Sequence, residues 1–279
     1  MRVGKRFLLL TVTDPSDSAR GYLAALLDSL ERQRVEVDLV LVLRGAGPRP
    51  RSASPLLRIH ALDAPLAIGL SHARNRALEY ARAEGLLGAA DVVAFPDDDC
   101  RYPDGVLAKV AASIDRETEI VCGPYAPGPG EIDRKRFPLD SRQLSPTLVM
   151  QVISSNNVFL AARVVAAVGE FDERFGLGAV YGASEDSDYL LRALRQGVRG
   201  VYRPSEVFVE HPYKAELESK YYRGTLAVLA KHARHSRVAS WLLVRRLVFG
   251  IALVVRRAIA PHEYGRAVWT ASRLLIARP

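Results

Sequence analysis

The amino-acid sequence predicts an α/β fold with a mostly parallel central sheet flanked by helices, followed by a C-terminal helical extension. Three observations support this prediction. Apolar strand-like runs alternate with helical patterns over the first two-thirds of the chain, a cluster of carboxylates directly follows one of those runs, and residues 231–279 combine apolar runs with many arginines. With 279 residues, of which 49% are apolar and 25% charged, the chain can form one large or two small globular domains.

The strands and helices can be placed in order along the chain. The patterns predict strands at residues 7–13, 37–43, 57–61, 91–95 and 152–160, and helices at residues 21–33, 71–84 and 185–196. Ser71 and Ser184 are the expected N-caps of the last two helices, because a serine oxygen can accept a hydrogen bond from the first turn. Gly85 and Gly197 are expected to end these helices. Proline and glycine between residues 123 and 146 predict a loop, which is a plausible surface for binding a second substrate.

The cysteine content and the start of the chain indicate a cytoplasmic protein. Cys100 and Cys122 are the only cysteines, and neither belongs to a CxxC pair or lies near clustered histidines. Zinc-finger and disulfide-framework proteins are therefore disfavoured. The apolar run near the N-terminus is short and is interrupted by Asp14-Pro15, so it predicts a buried strand and not a signal peptide.

The net charge of +8 is concentrated in residues 231–279. This segment contains ten Lys or Arg residues and one acid, Glu263, so its charge is +9 and the remainder of the chain is at −1. Apolar runs separate these charges, which favours an anionic membrane over nucleic acid as the partner. The longest run, residues 247–255, has nine residues, whereas a spanning helix needs roughly 20. We therefore expect no transmembrane segment.

Two arginine pairs indicate how the segment would meet a membrane. Arg245-Arg246 and Arg256-Arg257 are eleven residues apart, close to three helical turns, so on one continuous helix they would share a face. Such a helix would lie in the plane of an anionic membrane surface. The alternative is that it packs on the rest of the chain or in a dimer, since arginine stems also cover apolar surface.

Three consecutive carboxylates, Asp97, Asp98 and Asp99, follow the apolar run at residues 92–95. On an extended strand alternate side chains point the same way, so we expect Asp97 and Asp99 to converge and Asp98 to face the other side. Adjacent carboxylates repel each other, which favours a bound divalent cation that prefers oxygen ligands, Mg²⁺ or Mn²⁺. The alternative is an acidic turn without a ligand.

Other polar residues lie at the predicted ends of strands and helices. Thr13 and Asp14 end the first strand, and ligands in parallel α/β sheets bind beyond the carboxyl ends of the strands. Glu185 and Asp186 begin a helix, where acids either interact with the helix dipole or act as a general base toward a nearby hydroxyl. His211 follows a further strand-like run. It is either a structural residue or a metal ligand, and a neutral imidazole beside carboxylates suits Mn²⁺.

Five segments together resemble the motifs of a known family. They are GLSHARNRAL at residues 69–78, FPDDDC at 95–100, FDE at 171–173, SEDSD at 184–188 and HP at 211–212. With these motifs, residues 5–230 resemble the family 2 glycosyltransferases of the GT-A fold, which has a Rossmann-like, mostly parallel sheet. The resemblance implies inverting transfer of a sugar from a nucleotide-diphosphate-sugar donor to a hydroxyl of a glycan or lipid-linked acceptor, assisted by Mg²⁺ or Mn²⁺.

The resemblance also implies roles for individual residues. Asp97, Asp98 and Asp99 match the DxD motif, so Asp97 and Asp98 are expected near the donor nucleotide, and Asp97 and Asp99 are expected to bind the metal with His211. Asp186 matches the second acid of the ED motif, the family's usual base, with Glu185 beside it. The remaining residues expected at the donor site are Thr13, Asp14 and Arg74. The chain departs from the family at the end of the second strand, where Leu43-Arg44-Gly45 replaces a segment that commonly carries an acid.

These inferences divide the chain into a glycosyltransferase domain at residues 1–230 and a basic, amphipathic helical extension at residues 231–279. We expect a cytoplasmic enzyme that contacts the anionic inner face of the plasma membrane through residues 238–279. Nucleic acid is not expected as a partner, and a homodimer is left open. Two alternatives are a nucleotidyltransferase that makes a sugar nucleotide, for which no glycine-rich triphosphate loop is found, and a non-catalytic sugar-nucleotide-binding module, which the two acid clusters disfavour.

Overall fold

The computed structural model describes residues 4–45, 47–212 and 217–276. In chain order the strands are β1 (Phe7–Thr13), β2 (Val37–Arg44), β3 (Leu57–Ala64), β4 (Val92–Ala94), β5 (Ile120–Cys122), β6 (Tyr125–Ala126), β7 (Arg142–Gln143), β8 (Val158–Ala161), β9 (Gly200–Tyr202) and β10 (Val209–Glu210). The helices are α1 (Asp17–Glu31), α2 (Leu70–Ala83), α3 (Leu86–Ala89), α4 (Val106–Ser113), α5 (Pro146–Val152), α6 (Ala162–Val168), α7 (Glu185–Arg195), α8 (Leu217–Ala233), α9 (Arg237–Val255) and α10 (Pro261–Ile276). Short 3₁₀ turns lie at Pro129–Glu131 and Ser155–Asn157.

An eight-stranded sheet forms the centre, with the strand order β3-β2-β1-β4-β8-β5-β9-β7. The strands β3, β2, β1 and β4 are mutually parallel, and β5 is parallel to β9. The strand β8 runs antiparallel between β4 and β5, and β7 runs antiparallel at the edge beside β9. The prediction of a mostly parallel sheet is therefore confirmed. The parallel half brings the carboxyl ends of β1 and β4 to the same edge of the sheet.

Continuous apolar runs produce the central strands. All seven residues of β1 are buried, as are seven of the eight residues of β2. Parallel strands covered by helices on both faces are expected to be apolar on both sides. Polar residues begin where the strands end, which is why the crevice forms at that edge.

The predicted strand at residues 152–160 is wrong in its first half. The helix α5 extends to Val152, the 3₁₀ turn at Ser155–Asn157 follows, and only then does β8 begin. The reason lies in the asparagine amides, since Asn157 donates to the carbonyl oxygens of Gly123 and Val152, at 2.6 and 2.9 Å. Side-chain bonds of this kind compete with the hydrogen bonds of a sheet.

The predicted serine cap is wrong for Ser71, and for Ser184 it is right in position but not in the side-chain bond. The N-cap of α2 is Gly69, and Ser71 lies inside the helix, where its Oγ donates to the carbonyl oxygen of Phe175 at 2.7 Å. Ser184 does precede α7, but it has a φ of 71° and makes no side-chain cap bond. The first helix begins earlier than predicted, because Ser16 caps α1 by accepting from the Ala19 amide at 3.2 Å.

The helices α8, α9 and α10 pack on one another, and α9 and α8 also contact α5 and α7. The helix α9 ends at Val255, and Arg257 has a φ of 58°. The prediction of one continuous helix that carries both arginine pairs is therefore wrong. Among the described residues, α9 alone reaches the length and hydropathy of a membrane-spanning helix, with a mean hydropathy of 2.0 and 28% of its most apolar window buried.

Candidate active site

The three aspartates lie in a turn directly after β4, beyond the carboxyl edge of the sheet. Thr13, the last residue of β1, donates a short hydrogen bond from its hydroxyl to Asp98. Asp98 therefore faces β1, on a different side from Asp97 and Asp99. The three residues lie in a turn and not on an extended strand. Burial raises the pKa of Asp98 to about 6, the bond from Thr13 opposes this shift, and the charge of Asp99 adds to it.

Asp97, Asp99 and His211 converge, with one ligand atom from each lying within 4.8 Å of the others. The Nε2 atom of His211 is 3.1 Å from Oδ1 of Asp99. Its Nδ1 atom is buried and has no hydrogen-bond partner among the described residues. The backbone amide of His211 donates to the carbonyl oxygen of Ala126 at 2.9 Å, which holds the residue beside the small β6–β10 sheet. Two carboxylates and an imidazole form a donor set that fits Mg²⁺ or, with the nitrogen, Mn²⁺.

Arg74 connects the aspartate turn to the start of α7. Its side chain is 1% exposed and donates to Asp97 Oδ1 at 3.0 Å, to Glu185 Oε1 at 3.3 Å and to Asp186 Oδ1 at 3.1 Å. We call these four residues the crevice cluster. One guanidinium thus spans the acids of two motifs that are far apart in the sequence, and the cluster contains more acids than cations.

Asp186 is the more accessible acid of the pair at the start of α7. Its side chain is 21% exposed, compared with 9% for Glu185. Its Oδ2 atom accepts from the backbone amide of Ser155 at 2.8 Å, while Arg74 contacts Oδ1. Burial raises the pKa of Asp186, with Arg74 opposing the shift and Asp97 adding to it. Burial and the charge of Asp186 raise the pKa of Glu185 to about 8. Of the two acids, Asp186 is the one that faces the crevice.

The glycine-rich segment at residues 171–184 lies against the start of α2. Gly176 has a φ of 97°, and a Cβ atom there would lie 2.7 Å from Ser71 Oγ and 3.4 Å from the Glu185 carboxyl carbon. The Leu70 amide donates to the Leu177 carbonyl oxygen at 2.9 Å. Asn75 exchanges two hydrogen bonds with the backbone of Phe171, at 2.7 and 3.0 Å. The segment is therefore held against the same helix that carries Arg74.

A cavity of about 190 Å³ lies beside Thr13, between α1 and the ends of β1 and β2. Apolar side chains, among them Leu23 and Leu43, supply most of its lining. Asp14 and Arg44 border it and form an ion pair with an Nε–Oδ1 distance of 2.6 Å. An apolar slot with a polar pair at its rim can hold a flat ring and orient it.

The structure places every residue predicted for the site at this edge of the sheet. These residues are Thr13, Asp14, Arg74, Asp97, Asp98, Asp99, Glu185, Asp186 and His211. Three further contributors had no role assigned from the sequence, namely Ser71, Asn75 and Ser155. The first two lie within the GLSHARNRAL segment, which could have indicated them, whereas Ser155 fell in a segment predicted to be a strand.

Comparisons with known proteins identify the family and the fold. The family profile described as glycosyl transferase family 2 matches residues 19–162. Two structures of TarS residues 1–349 from S. aureus, in complex with UDP and with UDP-GlcNAc, superpose with TM-scores of 0.67 and 0.68 at 15% and 13% identity, and each comparison covers 97% of this chain and 81% of TarS 1–349.

A mannosyltransferase, PcManGT from Pyrobaculum calidifontis in complex with GDP-Man and Mn²⁺, gives a TM-score of 0.51 at 16% identity, covering 99% of this chain and 71% of that one. At these identities the similarity shows a shared GT-A fold. No curated protein sequence matches the chain significantly.

Proposed function

Because the chain belongs to glycosyl transferase family 2, and is a glycosyltransferase by that membership, we propose that it transfers a sugar with inversion from a nucleotide-diphosphate-sugar donor to a hydroxyl acceptor, with Asp186 as the general base. The observation that carries the proposal is the bridge through Arg74, which holds Asp97 and Asp186 on one buried guanidinium. Asp97, which is suited to bind a cation, and Asp186, which is suited to take a proton from an acceptor hydroxyl, thereby border the same crevice.

The donor is proposed to lie over the ends of β1 and β4. The cavity beside Thr13 and Asp14 has the apolar lining that a nucleobase needs, and the Asp14–Arg44 pair offers an acceptor and a donor at its rim. Asp98 faces the same side through its bond with Thr13. TarS has been solved with UDP and UDP-GlcNAc, and PcManGT with GDP-Man, which supports a nucleotide-sugar donor without selecting its base.

The proposed metal ligands are Asp97, Asp99 and His211. They fit Mg²⁺ or Mn²⁺ because their ligand atoms converge and because the buried Nδ1 atom of His211 has no other partner among the described residues. A cation bound there would stabilise the negative charge that develops on the leaving nucleoside diphosphate.

Asp186 is proposed to take the proton from the acceptor hydroxyl as that oxygen attacks the anomeric carbon. Arg74 and the Ser155 amide hold the two carboxylate oxygens, so the carboxylate cannot rotate away from the crevice. Its raised pKa brings it nearer to that of an effective base at neutral pH. A single displacement from the face opposite the leaving group inverts the anomeric centre.

The substitution Asp186→Asn tests this role. We expect turnover to fall by about 10²–10⁴-fold, the usual range for loss of a general base, while donor affinity measured by calorimetry with Mn²⁺ stays within a few-fold. Asp104→Asn on the exposed surface is the matched control. Near-normal transfer by Asp186→Asn would reject Asp186 as the base.

Family membership disfavours the nucleotidyltransferase alternative, and donor turnover by the wild type would exclude the binding module.

The C-terminal helices are proposed to contact an anionic membrane, which would place a cytoplasmic enzyme at the inner face of the plasma membrane beside a lipid-linked or other glycan acceptor. One face of α9 is apolar and exposed; it consists of Trp241, Val244, Val248, Ile251 and Val255. The opposite face of α9 packs on the body, where Leu242, Leu243 and Leu253 are buried. This arrangement favours contact in the membrane plane. The +9 charge of residues 231–279 attracts anionic lipid and repels a second copy of the chain.

Co-sedimentation with vesicles tests the membrane contact. We expect binding to vesicles that contain phosphatidylglycerol, weakened by salt and by the double substitution Val244→Ser and Val248→Ser, and little binding to phosphatidylcholine alone. A dimer that this double substitution converts to a monomer, with no vesicle binding by the wild type, would contradict the proposal and identify the face as a dimer interface.

A further inference from the structure

We propose that α8 supports catalysis from outside the active site, because Lys231 and His232 near its end position the helix that carries Asp186. This inference rests on the proposed role of Asp186 as base. The residues concerned are Asp172, Asp188, Arg192, Lys231 and His232, which we call the α8 clamp. Lys231 and His232 do not touch the crevice cluster, so they are positioning residues and not catalytic ones.

The first half of the clamp holds α7. Asp188 lies in the first turn of α7, two residues after Asp186, and is 0% exposed. Its Oδ1 atom is 2.6 Å from Lys231 Nζ and 2.9 Å from His232 Nε2. Its Oδ2 atom accepts from Arg192 Nε at 3.0 Å. Three cationic or hydrogen-bonding side chains thus converge on one buried carboxylate, and two of them come from α8.

The second half of the clamp holds the glycine-rich segment. Lys231 Nζ is also 2.9 Å from Asp172 Oδ2 and lies 5.3 Å from the centre of the Phe175 ring. The carbonyl oxygen of Phe175 in turn accepts from Ser71 on α2. One ammonium group therefore joins α7 to the segment that packs beneath Glu185.

The start of α7 needs this support because it has no side-chain cap. Ser184 is in the left-handed conformation, with a φ of 71°, and leaves the first turn without the hydrogen bond that an N-cap usually supplies. Arg74 and Ser155 fix the carboxylate of Asp186, but neither contacts the side of α7 that carries Asp188. The body of α7 packs on α5 and α6, and the clamp adds charged contacts from α8 to its first turn.

A structural role and a positioning role make different predictions. If the clamp only stabilised the fold, its loss would lower the melting temperature and leave the kcat of the folded protein unchanged. If it positions Asp186, the kcat measured at temperatures well below the melting temperature is lower than that of the wild type, while donor KM stays constant. A displacement near 1 Å can cost about 100-fold in rate. The proposed donor contacts at Thr13, Asp14 and Asp98 lie at the end of β1 and in the aspartate turn and not on α7, so donor KM serves as an internal reference.

The test uses the full chain with Lys231→Met, which keeps the length of the stem and removes the charge, and Lys231→Arg, which keeps the charge. Lys109→Met, on the exposed face of α4, is the matched control. For Lys231→Met we expect kcat to fall about 10- to 100-fold with less than a twofold change in donor KM. Lys231→Arg should restore most of the activity, and Lys109→Met should match the wild type. His232→Gln, which retains a hydrogen-bond donor toward Asp188, should show a smaller loss.

Amide hydrogen exchange supplies a readout that does not require turnover. We expect faster exchange of residues 171–190 in Lys231→Met, with the amides of β1 and β2 unchanged. Unchanged kcat and unchanged exchange in a folded Lys231→Met protein would overturn the inference, as would a general increase in exchange across the chain. Asp186→Asn measured in parallel separates the two proposals: if it abolishes transfer while Lys231→Met does not slow it, only the clamp fails, and if it retains transfer, the proposed base fails first.

Discussion

Two buried charge clusters lie at opposite sides of the first turn of α7, and they have opposite charge balance. In the crevice cluster one cation, Arg74, faces three acids. In the α8 clamp Asp172 and Asp188 face Arg192, Lys231 and His232, and Arg174 also contacts Asp172 at 2.6 Å. Acids two residues apart in the sequence therefore lie in unlike environments, and their position in the fold, more than their residue type, sets their chemistry.

The pKa shifts express this difference. Burial raises the pKa of Glu185 and of Asp186, the charges of neighbouring acids add to the shift, and Arg74 opposes it. Burial acts in the same direction on Asp188, but the bonds from His232 and the charges of Lys231 and Arg192 outweigh it and lower the pKa. A cluster with surplus negative charge is suited to receive a cation or a proton, whereas a cluster with surplus positive charge is complete in itself and suited to hold elements together.

Of the three substitutions that probe this contrast, Asp99→Ala has the largest expected effect, and it tests whether the acids beside Asp97 serve a cation. Loss of one of three ligands should weaken Mn²⁺ affinity by about 100-fold or more, since loss of an outer partner alone typically costs about 10- to 100-fold. Calorimetric titration with Mn²⁺, in the presence and absence of nucleoside diphosphate, measures it. Asp63→Asn, an exposed acid on β3, is the control. Equal Mn²⁺ affinity in Asp99→Ala and the wild type would contradict the metal site.

Much of the crevice could be predicted from local sequence. The carboxylates at residues 97–99 directly follow a buried strand and cannot pack in the core, so they indicated the site by position alone. Asp186 and His211 were found in the same way, at the ends of a helix pattern and a strand pattern. The parallel arrangement of this half of the sheet followed from the alternation of apolar runs with helices, whereas the order of its strands did not.

The clamp could not be predicted, because Lys231 and His232 contact residues remote in sequence and only the Asp188–Arg192 pair is local. Lys231 and His232 looked like the beginning of a basic tail, and the expected domain boundary at residue 230 separated them from the site they contact. The buried position of Arg74 was missed for the same reason. Asn156 and Asn157 were assigned to a strand because their side-chain bonds have no signature in a period of two. Asn156 accepts from the Asp97 amide, and Asn157 donates to the carbonyl oxygens of Gly123 and Val152.

A second prediction concerns stability and sharpens the contrast through Asp188→Asn. This change leaves Lys231, His232 and Arg192 around a neutral amide in a buried site, and removing one partner of a buried ion pair typically costs about 3–5 kcal/mol. Chemical denaturation should show this loss at neutral pH. Because the pKa of Asp188 is lowered in the folded state, its contribution is present above the pKa of the unfolded chain and is lost as the pH falls through the folded value. The difference between Asp188→Asn and the wild type should therefore shrink in acid, and a constant difference would contradict the ion-pair explanation.

The smallest expected effect belongs to Glu185→Gln, which makes the opposite prediction for the crevice cluster. Glu185 has a raised pKa of about 8, so at pH 7 the folded protein already holds it neutral, and an amide of similar shape should cost little in activity or stability. At pH values above the pKa of Glu185 in the unfolded chain, the folded state binds one proton more than the unfolded state. The wild type therefore loses stability as the pH rises, until the pH passes the pKa of Glu185 in the folded state. Between pH 7 and 9 the wild type should lose about 1 kcal/mol relative to Glu185→Gln. Denaturation curves of both proteins at the two pH values measure this difference. If the free energy of unfolding falls equally in both proteins, Arg74 keeps Glu185 ionised at neutral pH and the contrast between the two clusters does not hold.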